Sequence, residues 1–336
     1  MTSAERPPEA ASDDRARLLV EDILATPDTL EALIHAYAAP DGGPLSALRA
    51  ALPADRPLRL ILSGMGSSRF AALAFAEHGS VHVELASARA LTPSTDTVFV
   101  GISNSGRTPE VVAAIRDHRG TSLTVGLTNH PDRAVGEAAD LALPLLAGDE
   151  RSGIASRTYA ATVAALALVV GEITGRRDDG SAEDLRAVAV AARDLRDGWA
   201  SWVAAASDVL DGADEIHVIG DGRAMGSLEQ AALMFREAPR LRALPMDAGD
   251  WLHVGLYTML PGGRAILFGG TPYDVEIAAT IARRGGRLVA VGPAVNGADH
   301  VVPVPDVRGR AARAIVVAGV SELIAAELWS RASRTA

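Results

Sequence analysis

The stretch Val98-Phe-Val-Gly-Ile-Ser-Asn-Ser-Gly-Arg-Thr-Pro-Glu110 decides how the chain folds. Its apolar, β-branched beginning predicts a buried strand over Val98–Ile102, and Ser103–Gly106 is a cluster of turn residues. Thr108 and Pro109 are typical of a helix start, a capping residue followed by a first-turn proline. This arrangement of a strand, a hydroxyl-rich turn and a helix N-terminus is suited to binding a phosphate group, because N–H groups and hydroxyls face the turn. An ordinary βα turn with a good cap is the alternative interpretation.

The composition is that of a globular protein with a marked negative charge. The 336 residues are 48% hydrophobic and 22% charged, and this length suffices for two domains. A net charge of −10 disfavours nucleic acid and anionic membranes as partners. An anionic substrate therefore needs a local anion-binding site, such as the loop described above. We expect no membrane span, since no apolar run reaches about 18 residues. Without a signal-peptide pattern at the start, we also expect a cytoplasmic protein.

Two residue types are absent, and each absence removes a class of chemistry. The chain has no cysteine, and all 32 basic residues are arginine, which excludes disulfides, thiol nucleophiles and a lysine Schiff base. A candidate set of metal ligands is Asp247, Asp250 and His253, which lie three residues apart. Side chains at this spacing drift progressively around a helix, and the sequence shows no further cluster of ligand residues. The sequence therefore predicts no metal site.

Two glycine pairs after strands invite a dinucleotide-binding interpretation, Gly64-Met-Gly66 and Gly220-Asp-Gly222. Neither completes the fingerprint, because Arg69 and Met225 stand where it needs glycine or alanine. The lysine of a P-loop is missing as well. We expect no cofactor.

Predicted strands alternate with helical segments along both halves of the chain, which predicts parallel sheets covered by helices on both faces. The predicted elements include the strands Val81–Leu85 and Arg264–Phe268, an edge strand over Val302–Pro305 and a single connecting helix over Ala182–Ala206. Leu60-Ile-Leu-Ser-Gly-Met-Gly-Ser-Ser68 corresponds to His217-Val-Ile-Gly-Asp-Gly-Arg-Ala-Met225, an internal repeat that indicates duplicated domains. The second half has Phe268-Gly-Gly-Thr-Pro-Tyr273 in place of the serine cluster, so we expect one phosphate site per chain, in the first half. The predicted divisions are a disordered start (1–14), a helical lead-in with the first domain (15–175), a linker (176–184) and a second domain (185–336).

Three loops resemble the signature loops of sugar isomerase (SIS) domains: Gly64–Ser68, Ser103–Thr108 and Gly153–Ser156. The resemblance covers nearly the whole chain as a double-SIS protein, similar to the isomerase half of glucosamine-6-phosphate synthase. It implies an α/β fold of two SIS domains. Each would be a mostly parallel five-stranded sheet flanked by helices, a flavodoxin-like three-layer sandwich.

The resemblance also implies a substrate-binding role for residues of these loops. In the family the hydroxyls of the serine-rich loop bind the sugar phosphate, and Asn104 takes the place of a usual glutamine. The third loop lies near the sugar hydroxyls, where Ile154 contributes its backbone. The implied substrate-binding residues are Ser68, Ser103, Asn104, Ser105, Thr108, Ile154 and Ser156.

Glu237 and His253 are separated by the same sixteen residues as the family's catalytic glutamate and its ring-opening histidine. The residues alone favour a solvated carboxylate and a packed histidine beside Trp251, whereas the resemblance implies the catalytic roles. Met234 replaces a family lysine three positions before the glutamate, and Arg331–Ala336 lacks the lysine of the family's C-terminal tail. The exact catalytic cycle therefore stays open. Without a glutaminase domain or N-terminal cysteine, we expect a glutamine-independent reaction.

A carboxylate that removes the proton beside the sugar carbonyl gives an enediol or enolamine, and this intermediate has three exits. Isomerisation or deamination of an amino-sugar or hexose 6-phosphate is the first prediction. Dehydration of an N-acetylamino-sugar 6-phosphate by a lyase is the alternative, and a non-catalytic sugar-phosphate sensor is another. We also expect a homodimer with a shared active site, paired through the helices Ser156–Ile173 and Ala311–Ser330, in which His253 serves the other chain.

Overall fold

The structure is a computed structural model that describes residues 12–53, 59–76, 79–175 and 182–335. Three helices precede the first sheet, as the sequence predicts. They are α1 (Ser12–Leu24), α2 (Thr26–Tyr37) and α3 (Pro44–Ala51). Of the start predicted to be disordered, residues 1–11 lie outside the described residues, and α1 begins at Ser12.

The first half forms a five-stranded parallel sheet with the strand order β2-β1-β3-β4-β5. All six residues of β3 are buried, because helices cover both faces of the sheet. The strands are β1 (Arg59–Gly64), β2 (Val81–Leu85), β3 (Thr97–Ile102), β4 (Leu123–Thr128) and β5 (Leu141–Pro144). The helices are α4 (Ser67–Leu73), α5 (Pro109–His118), α6 (Ala134–Ala138) and α7 (Arg157–Thr174).

The second half repeats this topology, because its parallel sheet has the order β10-β9-β8-β6-β7. Read in the opposite direction, this order is β7-β6-β8-β9-β10, which matches β2-β1-β3-β4-β5 of the first sheet strand by strand. The match confirms the predicted repeat and fold class. The strands are β6 (Glu215–Gly220), β7 (Arg242–Asp247), β8 (Arg264–Phe268), β9 (Arg287–Val291) and β10 (His300–Val302). The helices are α8 (Ala182–Gly198), α9 (Val203–Leu210), α10 (Met225–Glu237), α11 (Ala248–His253), α12 (Asp274–Arg283) and α13 (Arg310–Thr335).

Two predicted elements of the second half differ from the structure. A single helix over Ala182–Ala206 is wrong, since α8 ends at Gly198 and a short 3₁₀ turn precedes α9. Glycine is about 1 kcal/mol less favourable than alanine in a helix interior, which explains why the helix ends at Gly198. The edge strand expected over Val302–Pro305 lies earlier, at His300–Val302, because Pro303 has no N–H to continue the ladder.

Helices cross between the two halves. Leu19 and Ile23 of α1 pack in the core of the second sheet, whereas Leu185 and Val188 of α8 pack in the core of the first. Within the predicted linker, residues 176–181 lie outside the described residues, and α8 begins at Ala182. The predicted domain boundaries stay a prediction, but the packing shows that neither core is built from one continuous segment.

The helix α7 is the buried centre of the first half. By length and composition it could cross a membrane, but 83% of it is buried inside the protein. The core helix of a globular domain meets the same criteria. We therefore assign α7 to the core, and the expectation that Ser156–Ile173 supplies a surface for subunit pairing is wrong, because the chain itself buries this helix.

The two halves meet at a close approach between α10 and α4. A Cβ built at Gly226 of α10 would lie 2.3 Å from the carbonyl oxygen of Phe70 and 2.8 Å from Cβ of Leu73. Real Cβ atoms do not come so near a backbone oxygen. Only glycine therefore allows the two helices to approach to this distance.

We predict that Gly226→Ala lowers the free energy of unfolding by about 1–3 kcal/mol, because the methyl group forces α10 away from α4. Urea denaturation followed by circular dichroism measures the change. Gly198→Ala is the matched control, since its Cβ would meet no atom within 4 Å. Equal stability of the two variants would show that the helix contact is not as close as described.

Candidate functional site

The carboxyl ends of β1 and β3 bring two of the predicted binding loops together. The two strands are neighbours in register, with Gly64 opposite Ile102, so the loops that follow them leave the sheet side by side. From this point the chain order runs in opposite directions, to β2 on one side and to β4 on the other. Ligands of open α/β sheets bind in the crevice at such a switch point.

The loop after β3 is a compact cluster of hydroxyls. Oγ of Ser103 lies 2.8 Å from Oγ1 of Thr108 and 3.5 Å from Oγ of Ser105. Thr108 is the residue before α5, so its hydroxyl lies at the helix N-terminus. Gly106 adopts a φ of +66°, and a Cβ there would lie 2.9 Å from the carbonyl oxygen of His130, so the turn requires glycine.

Other predicted phosphate-site residues lie around this cluster. The side-chain carbonyl oxygen of Asn104 is buried, and within the described ranges it has no hydrogen-bond partner. Its backbone carbonyl accepts the N–H of Asn129 at 3.3 Å. Ser68 is half-buried in the first turn of α4, where its N–H donates to the carbonyl of Met65. The structure thus places Ser68, Asn104 and the hydroxyl cluster around the ends of two adjacent strands.

The third predicted loop is shaped by Glu150, which the sequence analysis did not identify. Its carboxylate accepts the N–H of Ser156 at 2.9 Å and the N–H of Thr158 at 2.8 Å, and it also accepts both hydroxyls. Ser156 is completely buried, so its hydroxyl serves this internal bond, and its predicted role toward the sugar stays a prediction. No capping pattern in the sequence could have identified Glu150, because it lies seven residues before α7 begins at Arg157.

The helical lead-in holds the same loop from the other side. Arg15 of α1 donates to the carbonyl of Ser152 from Nε at 3.2 Å and from Nη2 at 2.8 Å. The N–H of Ser152 donates to the buried carboxylate of Asp22 at 3.0 Å, and Arg157 lies 3.2 Å from that carboxylate. These contacts fix the backbone next to Ile154, which is itself 3% exposed.

Glu237 is the last residue of α10 and is half-buried. Gly226 near the start of α10 lies against α4, and one turn later Nε2 of Gln230 donates to the carbonyl of Ala155 at 3.2 Å. The helix therefore crosses the third loop, and its end lies roughly 10 Å farther along the axis at 1.5 Å per residue. Burial raises the pKa of Glu237, and the positive charges of Arg240 and Arg236 oppose this effect.

His253 lies at the surface of the chain, at the end of the short helix α11. Trp251 anchors this helix in the core, and its Nε1–H donates to Nδ1 of His217 at 3.0 Å. Asp247 accepts the N–H groups of Gly249 and Asp250, so its carboxylate caps α11. The packed-histidine interpretation of His253 is wrong, because Trp251 occupies the core and directs His253 outward.

The comparisons with known proteins concern the same part of the chain. The family model described as SIS domain matches residues 55–171. The chain is 30% identical over 214 residues to a glutamine--fructose-6-phosphate aminotransferase [isomerizing] of Aeropyrum pernix, which is 60% of this chain and 35% of that protein. It is also 48% identical over 54 residues to an N-acetylmuramic acid 6-phosphate etherase of Symbiobacterium thermophilum, 16% of this chain and 18% of that protein.

Solved structures resemble the chain over nearly its whole length. Tagatose-6-phosphate ketose/aldose isomerase from Escherichia coli superposes with a TM-score of 0.75 at 18% identity, covering 94% of this chain and 92% of the other. Glucosamine-6-phosphate deaminase from Thermotoga maritima gives 0.70 at 14% identity, with 93% and 94% covered. These likenesses show the fold. The aminotransferases among the relatives are longer than this chain, and the matched region spans about a third of their length.

The backbone at Arg240 offers a test of the surroundings of Glu237. Arg240 adopts a φ of +61°, a left-handed conformation that favours glycine. We predict that Arg240→Gly raises the free energy of unfolding by about 1 kcal/mol, since it relieves this strain. It also removes a positive charge, so the pKa of Glu237 should rise and the carboxylate should form only at higher pH.

Denaturant unfolding and an NMR titration of the Glu237 carboxyl measure the two effects. Arg284→Gly is the matched control, because Arg284 directly follows α12 with a φ of −90° and gains nothing from glycine. A stabilised Arg240→Gly protein with an unchanged pKa of Glu237 would contradict the electrostatic part of this account.

Proposed function

We propose that this chain, a member of the SIS domain family, converts an amino-sugar or hexose 6-phosphate by moving a proton between neighbouring sugar carbons. The observation that carries the proposal is the hydroxyl cluster of Ser103, Ser105 and Thr108 at the switch point of the first sheet. It combines several oxygen donors with a helix N-terminus, the arrangement that binds a phosphate group. The proposed conversion needs no glutamine.

The proton transfer falls to Glu237 in this proposal. A carboxylate whose pKa is raised by burial is a stronger base than a solvated one, and so is suited to removing the proton beside a carbonyl. The bond between Gln230 and Ala155 supports this role, because it attaches the helix of Glu237 to the loop of Ile154. The product of the step is an enediol or enolamine.

Return of the proton to the neighbouring carbon gives isomerisation, and loss of a 2-amino group after isomerisation gives deamination. These are the first candidates, and the similarity to an isomerizing aminotransferase supports them. A lyase reaction on an N-acetylated amino-sugar 6-phosphate is the second candidate. The local identity of 48% with an N-acetylmuramic acid 6-phosphate etherase favours it.

We propose further that two copies of the chain share their active sites. His253 is exposed, and the apolar side chains of Val254 and Tyr257 beside it are 60% and 76% exposed. An exposed imidazole among exposed apolar side chains is what a residue that enters a neighbouring subunit requires. In the neighbour, His253 would protonate the ring oxygen and open the sugar.

We predict that Ser103→Ala and Ser105→Ala each weaken the binding of glucosamine 6-phosphate by about 1–2 kcal/mol, because each removes a hydrogen bond to a charged group. Isothermal titration calorimetry measures the loss. Thr271→Val is the matched control, since Thr271 lies in the equivalent loop of the second half and bonds Asp274. Unchanged affinity in both serine variants would place the phosphate elsewhere.

The shared site predicts complementation between two inactive variants. Glu237→Gln and His253→Ala subunits are mixed under conditions of proven subunit exchange. Each mixed dimer then has one site with both substitutions and one site with neither. Random exchange makes about half of the dimers mixed, so activity should recover to roughly a quarter of wild type. If His253 acts within its own chain, every site keeps one lesion, and the absence of recovery would refute the shared site.

A further inference from the structure

The second sheet has a half-open cavity, the chamber, at the place that corresponds to the phosphate loop of the first. The chamber has a volume of about 430 Å³ and lies at the carboxyl ends of the strands, where β6 and β8 diverge. Asp221 follows β6, Gly269 follows β8 and Gly292 follows β9, and Val316 and Val317 of α13 close the opposite side. Crevices at such switch points are the usual ligand sites of α/β sheets.

The chamber cannot take a phosphate in the manner of the first sheet. The equivalent loop is occupied by its own carboxylate, because Asp274 accepts the N–H of Gly270 at 2.7 Å and the N–H of Thr271 at 3.2 Å. The hydroxyl of Thr271 donates to the same carboxylate. A negative charge thus fills the anion position of this loop. Any ligand of the chamber must be held by other groups.

The walls of the chamber are mainly apolar. Gly270 and Gly292 have φ values of +104° and +101°, and they leave backbone edges without side chains at the ends of β8 and β9. The exposed carboxylate of Asp306 stands among the lining residues. The apolar side chains are Leu228, Phe268, Val291, Val304, Val307, Val316 and Val317.

A positively charged groove of about 330 Å³ continues the chamber. The two spaces share Asp221, Ala224 and Arg313, so a single ligand can reach from one into the other. The residues that line the groove include three arginines, Arg223, Arg310 and Arg313, and one acidic residue, Asp221. Arg223 lies 2.6 Å from Asp221, and its hydrogen bond lowers the pKa of that carboxyl, with smaller contributions from the charges of Arg223 and Arg313.

We propose that the chamber and groove form a second ligand site, which binds an organic anion with an apolar ring. The ring fills the chamber between Phe268 and Val317, and a phosphate, carboxylate or sulfonate group lies on Arg313. Local positive charge in a chain of net charge −10 favours this orientation. The site is separate from the hydroxyl cluster of the first sheet, and its existence does not depend on the proposed reaction.

The probe 8-anilinonaphthalene-1-sulfonate has both parts, an aromatic body and one anionic group. We expect a fluorescence titration of the full chain to show saturable binding of one molecule per chain. Arg313→Ala should weaken it about tenfold, the usual effect of one lost charge-assisted hydrogen bond. Val317→Trp should abolish binding, because the indole fills the chamber from the half-buried face of α13.

Arg186→Ala is the matched control, since Arg186 is an exposed helical arginine on α8, outside the groove. Circular dichroism shows whether each variant is folded. If Val317→Trp does not fold, Arg313→Ala still tests the proposal, because it is a surface substitution. Glucosamine 6-phosphate should not compete with the probe. Absence of saturable binding, or equal affinity in wild type and Arg313→Ala, would overturn the proposal.

Discussion

The approach of α10 to α4 is the contact on which the candidate site depends. The proposed phosphate loop belongs to the first sheet and the proposed base to the second, so catalysis requires the two halves to hold one fixed orientation. Gly226 lets the helices meet at backbone distance, and the bond from Gln230 to Ala155 then attaches α10 to the third loop. A displacement of α10 by one methyl group would move the carboxylate at its end as well.

Buried acidic groups between the halves add a second constraint. Glu322 of α13 is 3% exposed, and within the described part of the chain its Oε1 has no hydrogen-bond partner. Burial and the charge of Glu150 raise the pKa of Glu322 well above its ordinary value, which favours the protonated form of Glu322, and burial raises the pKa of Glu150 as well. A second negative charge there would be costly, since buried charges without partners destabilise a fold strongly. The interface therefore depends on protonation as well as on shape.

Much of the fold could be predicted because its signals are local. The strands Val81–Leu85 and Arg264–Phe268 have the predicted bounds, because turn residues flank an alternating apolar pattern in the first and an apolar run in the second. The contacts that shape the site could not be predicted. Asp22 and Ser152 are 130 residues apart, and no periodicity shows that they meet. The outward direction of His253 depends on the tertiary packing of Trp251, which the sequence does not reveal.

Proton exchange with solvent tests the central claim most directly. The protein is incubated in D₂O with glucosamine 6-phosphate and with other hexose and hexosamine 6-phosphates, and NMR follows deuterium at C1 and C2. The account predicts incorporation into at least one of these sugars, and Glu237→Gln should still bind that sugar but exchange it about 10²-fold more slowly. An exchange rate in Glu237→Gln equal to that of the wild type would contradict the account, as would no exchange with any of them.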